Sequence, residues 1–301
     1  MHRPAFAVSE TSDIREETTM IRIITDSAAD LTARDLAQPG VVVVPMCITF
    51  ADDTTVEDGG RMTKDEFFER LATDSRLPRT SQPSPAAFME AYADAELAGD
   101  EVIVITIAEK LSGTYQSARL AAEDVDTKVY VVNSESATQG EALIVREAVR
   151  LRDEGLTAEQ IVAELERFKK RVRIVAVVDS LKHLQKGGRI PAAVAIVGGA
   201  LGIKPVIAVQ DSAVKLVGKG RGRPGAMVAM FKQLDEMGGI DTDYPCAVLY
   251  SDEKQMAGPV HHYLAQNLKL EDIETCQIGA TIGTHIGPRA AGVAFVAKET
   301  V

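Results

Sequence analysis

The chain has 301 residues, of which 46% are hydrophobic, and its formal net charge at pH 7 is −11. This length predicts about two domains of roughly 150 residues each, with enough apolar residues for a sizeable core. Acidic residues outnumber basic ones by 44 to 33, and no basic stripe with interleaved aromatic residues occurs, so nucleic acid is not an expected partner. The three cysteines are far apart and form no CxxC pair, which argues against a disulfide framework or a thiolate metal site.

Residues 1–19 have neither the apolar core of a signal peptide nor the acid-poor composition of a transit peptide. They also lack hydrophobic periodicity, and Met20 stands immediately before the first apolar run. We therefore expect residues 1–19 to be a disordered or non-native leader and the protein to be cytoplasmic. The most apolar segment, 190–209, is interrupted by Lys204 and Pro205, which predicts a helix, a glycine turn and a strand rather than a membrane span.

Four Val- and Ile-rich runs between Met20 and residue 170 each precede a polar turn, and three of them precede a helical pattern. The runs are IRIITDS, VVVVPMCITF, EVIVITIA and KVYVVNSE. Short apolar strands that alternate with helices are typical of a parallel sheet flanked by helices. Helix starts are marked by capping boxes and by a Ser-Pro pair, at Thr63 with Glu66, Thr157 with Gln160, and Ser84 with Pro85.

The second half of the chain is richer in strands than in helices. The segment KPVIAVQDSAVKLVGKG is typical of a hairpin that turns at Asp211 and Ser212. Further strand-like runs are RIVAVVD, CAVLYSD, ETCQIGATIG and GVAFVAKE. The sequence therefore predicts an α/β fold with an N-terminal domain over residues 20–170 and a C-terminal mixed-sheet domain over residues 171–301.

Ser112 follows the run EVIVITIA and precedes the helical segment TYQSARLAAE, and this position allows three interpretations. A nucleophile is disfavoured, because KLSGT lacks the first glycine of a G-x-S-x-G elbow. A helix N-cap would use the hydroxyl as an acceptor. The third interpretation is a donor to an anion, since Gly113 and the free amides of a helix start allow a carboxylate or phosphate to approach.

Two other stretches carry small polar side chains. Thr80, Ser81 and Ser84 precede a helix, and Thr284 and His285 stand in the glycine-rich segment GTHIGPRAAG, which we expect to be a turn. Hydroxyl donors without clustered charge suit a single buried anionic head group better than a polyphosphate. The phosphate loop G-x-x-x-x-G-K-[ST] is absent from the sequence, so nucleotide binding has weak support.

Six segments in order resemble the DegV family of bacterial fatty-acid-binding proteins, over the chain from Met20 to the end. They are IITDSAADL, RTSQPSPAAF, LSGTYQSARLAA, VNSESATQGEAL, VVDSLKHLQKGGRIP and IGTHIGPRAAGVAF. The resemblance implies two α/β domains and a bound long-chain fatty acid such as palmitate, stearate or oleate. It implies no catalysis by the chain itself, no metal and no cofactor, but a role as the lipid-carrying subunit of a fatty acid kinase, with transient membrane contact for loading.

The same resemblance assigns roles to individual residues. The family's carboxylate-holding threonine and serine match Thr80 and Ser112, and its histidine near the head group matches His285, which could be charged. Its arginine for docking the kinase matches Arg221, although Gly222 follows where the family commonly has threonine. Arg289 stands where the family has glycine, which could shift the turn that holds His285.

Two competing functions remain open at this point. One is a serine esterase with Ser112 as the nucleophile and His285 as the base. The other is a subunit of a small-molecule kinase, against which the missing nucleotide loop and the missing acidic metal pair count.

Overall fold

Strands and helices alternate along the chain in the computed structural model, which describes residues 19–197 and 202–299. The strands are β1 (Ile21–Asp26), β2 (Val41–Val44), β3 (Cys47–Thr49), β4 (Thr55–Glu57), β5 (Arg79–Ser81), β6 (Glu101–Thr106), β7 (Val129–Asn133), β8 (Val172–Val177), β9 (Ile203–Gln210), β10 (Ala213–Arg221), β11 (Ala247–Tyr250), β12 (Glu274–Gln277) and β13 (Ala291–Val296). The helices are α1 (Ala33–Leu36), α2 (Lys64–Thr73), α3 (Pro85–Ala98), α4 (Thr114–Ala122), α5 (Thr138–Asp153), α6 (Ala158–Phe168), α7 (Lys182–Lys186), α8 (Ala192–Val197), α9 (Gly222–Glu236), α10 (Gly258–Asn267) and α11 (Ala280–Ile286). The leader predicted for residues 1–19 falls, up to residue 18, outside the described residues.

The first sheet is parallel throughout and has the order β2-β1-β6-β7. Successive side chains of a strand point to opposite faces. Ile24, Val102 and Val104 pack with apolar residues of α3 and α4. Ile23 and Ile103 point the other way and pack with α5 and α6. The predicted parallel sheet with helices on both faces is confirmed.

Pro45 divides the run VVVVPMCITF into two strands, β2 and β3. Proline has no N–H to donate to a sheet ladder, and strands commonly end beside it. β2 stays in the parallel sheet, whereas β3 is the centre of a separate antiparallel sheet with the order β4-β3-β5. In this small sheet Thr80 lies opposite Ile48.

The second large sheet has the order β10-β9-β8-β13-β11-β12. Only the β11 and β12 pair within it is parallel, so the predicted mixed sheet is confirmed. The predicted hairpin is also present, and its turn residues Asp211 and Ser212 have φ values of 51° and 62°, as the favoured two-residue hairpin turn requires. The segment 274–283 is only partly strand, because α11 begins at Ala280.

Helix α5 lies between the two large sheets. Leu143 and Ile144 of α5 belong to one apolar cluster with Ile103 of the first sheet and Leu249 and Ala294 of the second. The predicted division near residue 170 falls between α6 and β8 and stays a prediction.

The predicted helix starts are confirmed. Thr63 and Glu66 form a complete capping box, as do Thr157 and Gln160. Ser84 accepts a hydrogen bond from the Ala87 amide. Within residues 19–197 and 202–299, no helix has the length and apolar character needed to cross a bilayer.

Candidate functional site

A cavity of about 280 Å³ lies beyond the carboxyl ends of the parallel strands and is covered by the second sheet. Met46, Ile107 and Ala137 follow β2, β6 and β7 and line it on one side. Ile174 of β8 and Ile207 of β9 line it on the other. The carboxyl ends of parallel strands are where α/β sheets commonly bind ligands.

Most of the cavity wall is apolar. In addition to the five residues above, the wall includes Leu111, Ala176, Leu184, Val209, Leu249 and Ile282. A cavity of this kind, with a few polar groups, suits a ligand that has a long apolar part and one polar head.

Thr80 and His285 meet at the polar part of this cavity, as the sequence predicted. Thr80 lies in β5, and its Oγ1 is 2.9 Å from His285 Nε2. His285 lies in the last turn of α11, so the prediction of a turn at Thr284 and His285 is wrong. Thr284 uses its hydroxyl to donate to the Ala280 carbonyl inside the helix.

His285 is a neutral imidazole at neutral pH. Burial lowers the pKa of His285 to about 4, and nearby Arg189 and His183 contribute to the lowering. The expectation that this histidine could be charged is therefore wrong for the ligand-free protein. The reason is that desolvation disfavours the charged form, and within residues 19–197 and 202–299 no carboxylate raises this pKa.

The protonated nitrogen of His285 follows from its surroundings. Nδ1 is buried and has no hydrogen-bond partner among the described residues. It faces Gly187, where an added Cβ would lie 2.3 Å away. Because a buried N–H without a partner is rare and costly, Nδ1 is best assigned as the unprotonated nitrogen. Nε2 then donates to Thr80 Oγ1, which leaves the Thr80 hydroxyl proton free for a ligand.

Ser112 lines the same cavity but does not cap α4. The N-cap is Gly113, without a side-chain hydrogen bond, so the capping interpretation is wrong. Ser112 Oγ instead lies 2.9 Å from Thr114 Oγ1. A Cβ atom added at position 113 would lie 2.2 Å from Gln82 Oε1. This close approach explains why the residue after Ser112 is glycine.

Arg189 is a polar residue of the cavity wall that the sequence analysis did not identify. It lines the cavity, its Nε donates to the Leu111 carbonyl at 3.0 Å, and its Nη1 donates to the Gly187 carbonyl at 2.5 Å. Arg189 therefore contacts Leu111, which precedes Ser112, and Gly187, which faces His285. No local sequence pattern marked Arg189, because its contact with Leu111, 78 residues earlier in the chain, depends on the fold.

Two carboxylates position α11, and they were also missed. Asp58 accepts hydrogen bonds from the amides of Ala280 and Thr281 at 3.2 and 3.0 Å. Asp30 accepts one from the Gly279 amide at 2.7 Å. The start of the helix that carries His285 is therefore bound to the first half of the chain.

The geometry disfavours the esterase hypothesis. Ser112 pairs with Thr114, whereas His285 pairs with Thr80. In the described chain, His285 Nδ1 also has no carboxylate to orient it as a base.

Arg221 lies away from the cavity, at the end of β10, and its side chain is exposed. Gly222 follows with a φ of 62°. Arg289 adopts a φ of 59°, a left-handed conformation that glycine reaches more easily. The shift of the turn that holds His285 stays a prediction. In residues 19–197 and 202–299, no group of His, Cys, Asp and Glu has a metal-binding arrangement.

Comparison with known proteins finds a matching family model, similar sequences and similar structures. A family model described as an uncharacterised protein of the DegV family matches residues 20–298. A DegV domain-containing protein of Caldanaerobacter subterraneus subsp. tengcongensis is 34% identical over 279 residues, which are 92% of this chain and 99% of the relative. A fatty-acid-binding DegV family protein of Thermus thermophilus has a TM-score of 0.84 and 32% identity, over 93% of this chain and 100% of that one. A stearic-acid-binding protein of Eubacterium ventriosum has a TM-score of 0.83 and 31% identity, over 93% and 99%.

Proposed function

Because the chain belongs to the DegV family, we propose that its cavity binds a long-chain fatty acid such as palmitate, stearate or oleate. Thr80 and Ser112 hold the carboxylate, and His285 and Arg189 stand beside it. The observation that carries this proposal is an apolar cavity whose wall contains these four polar side chains. Thr80 contacts His285, and Arg189 donates to the carbonyl of Leu111, the residue before Ser112. The fatty-acid-binding relative from Thermus thermophilus and the stearic-acid-binding relative from Eubacterium ventriosum support the choice of ligand.

The tail supplies the affinity. Burying a saturated chain contributes about 0.8 kcal/mol per methylene, so ~14 methylenes give roughly 11 kcal/mol before the costs of association and ordering. The isoleucine, leucine and valine side chains of the cavity wall provide the apolar contacts.

The head group needs hydrogen-bond donors, because a carboxylate only accepts and is costly to bury without partners. Thr80 Oγ1 accepts a hydrogen bond from His285 Nε2, so the Thr80 hydroxyl proton is free to donate to the carboxylate. Ser112 can donate in the same way when Thr114 donates to it. Arg189 adds a permanent positive charge at the same place.

The finer part of the proposal is that the chain presents the lipid to a separate kinase. The carboxylate oxygen would attack the terminal phosphorus of a nucleoside triphosphate, and the nucleoside diphosphate would leave as the acyl phosphate forms. The sequence has no nucleotide loop of its own, so the partner brings the nucleotide. Exposed Arg221 contributes to docking that partner, and we place the protein in the cytoplasm, where the nucleotide is available.

A comparison of palmitate with hexadecanol tests the head-group site, because the two ligands have the same tail. We expect palmitate to bind at least about tenfold more tightly in titration calorimetry, since only its carboxylate uses the charged and hydroxyl donors. Equal affinities would contradict recognition of the carboxylate. Hydrolysis of a nitrophenyl ester that disappears in Ser112→Ala would instead support the esterase.

Docking is tested with the palmitate-loaded protein, ATP and an extract of the source organism, with hydroxylamine to trap acyl phosphate as the hydroxamate. We expect Arg221→Ala to reduce the yield several-fold without changing palmitate affinity, because a charge at the rim of an interface mainly affects association. Arg119→Ala, at an exposed position of α4, is the matched control. Equal yields from the two variants would remove Arg221 from the docking surface.

A further inference from the structure

The cavity that the proposed function assigns to the fatty acid contains a hydroxyl that this function does not use. Thr281 lines the cavity and is 4% exposed. Its Oγ1 atom is buried and has no hydrogen-bond partner within residues 19–197 and 202–299. A buried hydroxyl without a partner is uncommon and costs free energy, so a ligand group that pairs with it would bind favourably.

The position of Thr281 in α11 explains why its hydroxyl is unpaired. A buried threonine in a helix commonly donates to the carbonyl one turn earlier, and Thr284 does so with the Ala280 carbonyl at 2.9 Å. Thr281 is the second residue of α11, so no turn of the helix precedes it. The carbonyl four residues earlier belongs to Gln277 and accepts a hydrogen bond from Lys64 Nζ at 2.6 Å. The Thr281 hydroxyl is therefore available to a group inside the cavity.

The Thr281 side chain is also held in position. The Thr281 amide donates to Asp58 at 3.0 Å, and a β-branched side chain has few allowed rotamers in a helix. Ile278 and Ile282, on either side of Thr281 in the chain, line the same cavity and have no polar side-chain atom. At this part of the wall, a polar ligand group would therefore pair with Thr281.

This hydroxyl lies near the carboxyl end of the proposed ligand. Thr281 and His285 are four residues apart in α11, so their Cβ atoms lie on one face of the helix about 5–6 Å apart. The proposed function puts the carboxylate beside His285. Because a carbon–carbon bond is about 1.5 Å long, this separation corresponds to roughly four bonds of the ligand. Four bonds also separate a carboxylate oxygen from the oxygen of a hydroxyl on carbon 3.

We propose that Thr281 binds a hydroxyl on carbon 3 of the acyl chain, so that the cavity accepts 3-hydroxy fatty acids as well as unsubstituted ones. The threonine hydroxyl both donates and accepts, as the ligand hydroxyl does, so the two can pair in either direction. This inference rests on the proposed function, which supplies the position of the carboxylate.

Palmitate and 3-hydroxyhexadecanoate differ by one hydroxyl, and calorimetry with both ligands tests the inference. Thr281→Val keeps the shape of the side chain and removes its hydroxyl. We expect this variant to bind palmitate within about threefold of wild type and 3-hydroxyhexadecanoate about tenfold more weakly, because the ligand hydroxyl is then buried without a partner. Thr284→Val, in the same helix, is the matched control and should leave the ratio of the two affinities unchanged, since the Thr284 hydroxyl bonds within the helix.

The two mirror-image forms of 3-hydroxyhexadecanoate give a readout that needs no substitution. A partner held in one position distinguishes them, so we expect their affinities for wild type to differ at least about threefold and to become equal in Thr281→Val. With 16-hydroxyhexadecanoate, Thr281→Val should change the affinity less than about threefold, because that hydroxyl lies at the far end of the chain.

The inference is overturned if the mirror-image forms bind wild type equally, or if Thr281→Val leaves the ratio of the two affinities unchanged, as it would if water satisfied Thr281. It is also overturned if Thr284→Val changes that ratio as much as Thr281→Val does. These results leave the proposed function intact as long as palmitate binds. If neither palmitate nor 3-hydroxyhexadecanoate binds, the proposed function fails together with this inference.

Discussion

At the scale of single residues, the site depends on which group donates each proton. Thr80 can donate to a carboxylate when His285 donates to its oxygen through Nε2. Resemblance to a family identified both residues from the sequence. Their protonation could not be predicted that way, because burial and the nearby Arg189 determine it and both depend on the fold.

The hydroxyls of Thr80 and Ser112 can be tested separately. Thr80→Val removes the hydroxyl with little change in shape, and Ser112→Ala removes the second one. We expect each variant to weaken palmitate binding by about 1 to 3 kcal/mol, measured by calorimetry, because one donor to the carboxylate is lost. Thr55→Val, on exposed β4 of the same small sheet as Thr80, is the control and should bind normally. Normal affinity in both site variants would remove these hydroxyls from the head-group site.

Ligand binding should change the titration of His285. A bound carboxylate favours the charged imidazole, so we expect the pKa of His285 to rise from about 4 when palmitate is added. Nitrogen-15 NMR of the imidazole during a pH titration, with and without palmitate, measures the change. A pKa that stays the same in the complex would mean that the carboxylate does not lie beside this ring.

At the scale of elements, the sequence predicted the strands of the two large sheets and the starts of α2, α3 and α6, but not α11. The reason is physical, since α11 has 7 residues, contains Gly283 and is flanked by Gly279 and Gly287. Its start is stabilised by Asp30 and Asp58, which are more than 200 residues away along the chain. A local sequence pattern cannot include such a distant contact. The sequence therefore predicted a turn where the structure has a helix.

Removing the Asp58 carboxylate should weaken both the fold and the site. In Asp58→Ala the amides of Ala280 and Thr281 lose their acceptor, and we expect a loss of about 1 to 2 kcal/mol in the free energy of unfolding. Palmitate affinity should fall as well, because α11 carries His285. Asp58→Asn keeps one acceptor and should show the smaller loss in denaturant unfolding. Equal stability of wild type and Asp58→Ala would contradict this role.

Asp26, at the end of β1, should make stability depend on pH. Burial raises the pKa of Asp26 to about 7, against two opposing backbone hydrogen bonds, and Asp58 and Asp30 raise it further. Between about pH 4 and pH 7, Asp26 holds a proton in the folded state that it has released in the unfolded state. The free energy of unfolding therefore decreases as the pH rises through this range.

Asp26→Asn removes that titration. We expect the stability of Asp26→Asn minus that of wild type to increase by up to about 1.4 kcal/mol per pH unit from pH 4 to pH 7 and then to level off. Urea unfolding of both proteins at several pH values measures it. A difference that stays constant with pH would mean that Asp26 titrates normally.

At the scale of the whole molecule, the two sheets were predictable from hydrophobic patterns, but the cavity between them was not. It requires α5 to lie between the sheets and the ends of β2, β6 and β7 to face β8 and β9. Arg189 could not be predicted as a residue of the cavity either. It is held there by hydrogen bonds to the carbonyls of Leu111 and Gly187, and local sequence does not reveal this position.

The central claim is that one fatty acid occupies this cavity with its carboxylate at Thr80 and Ser112. Native mass spectrometry of the purified protein, followed by denaturing extraction and identification of the released lipid, tests it most directly. We predict one bound fatty acid of palmitate, stearate or oleate size per chain, with reduced occupancy in the Thr80→Val, Ser112→Ala double variant. A protein that carries no lipid as purified and does not take up added palmitate or oleate would contradict the account.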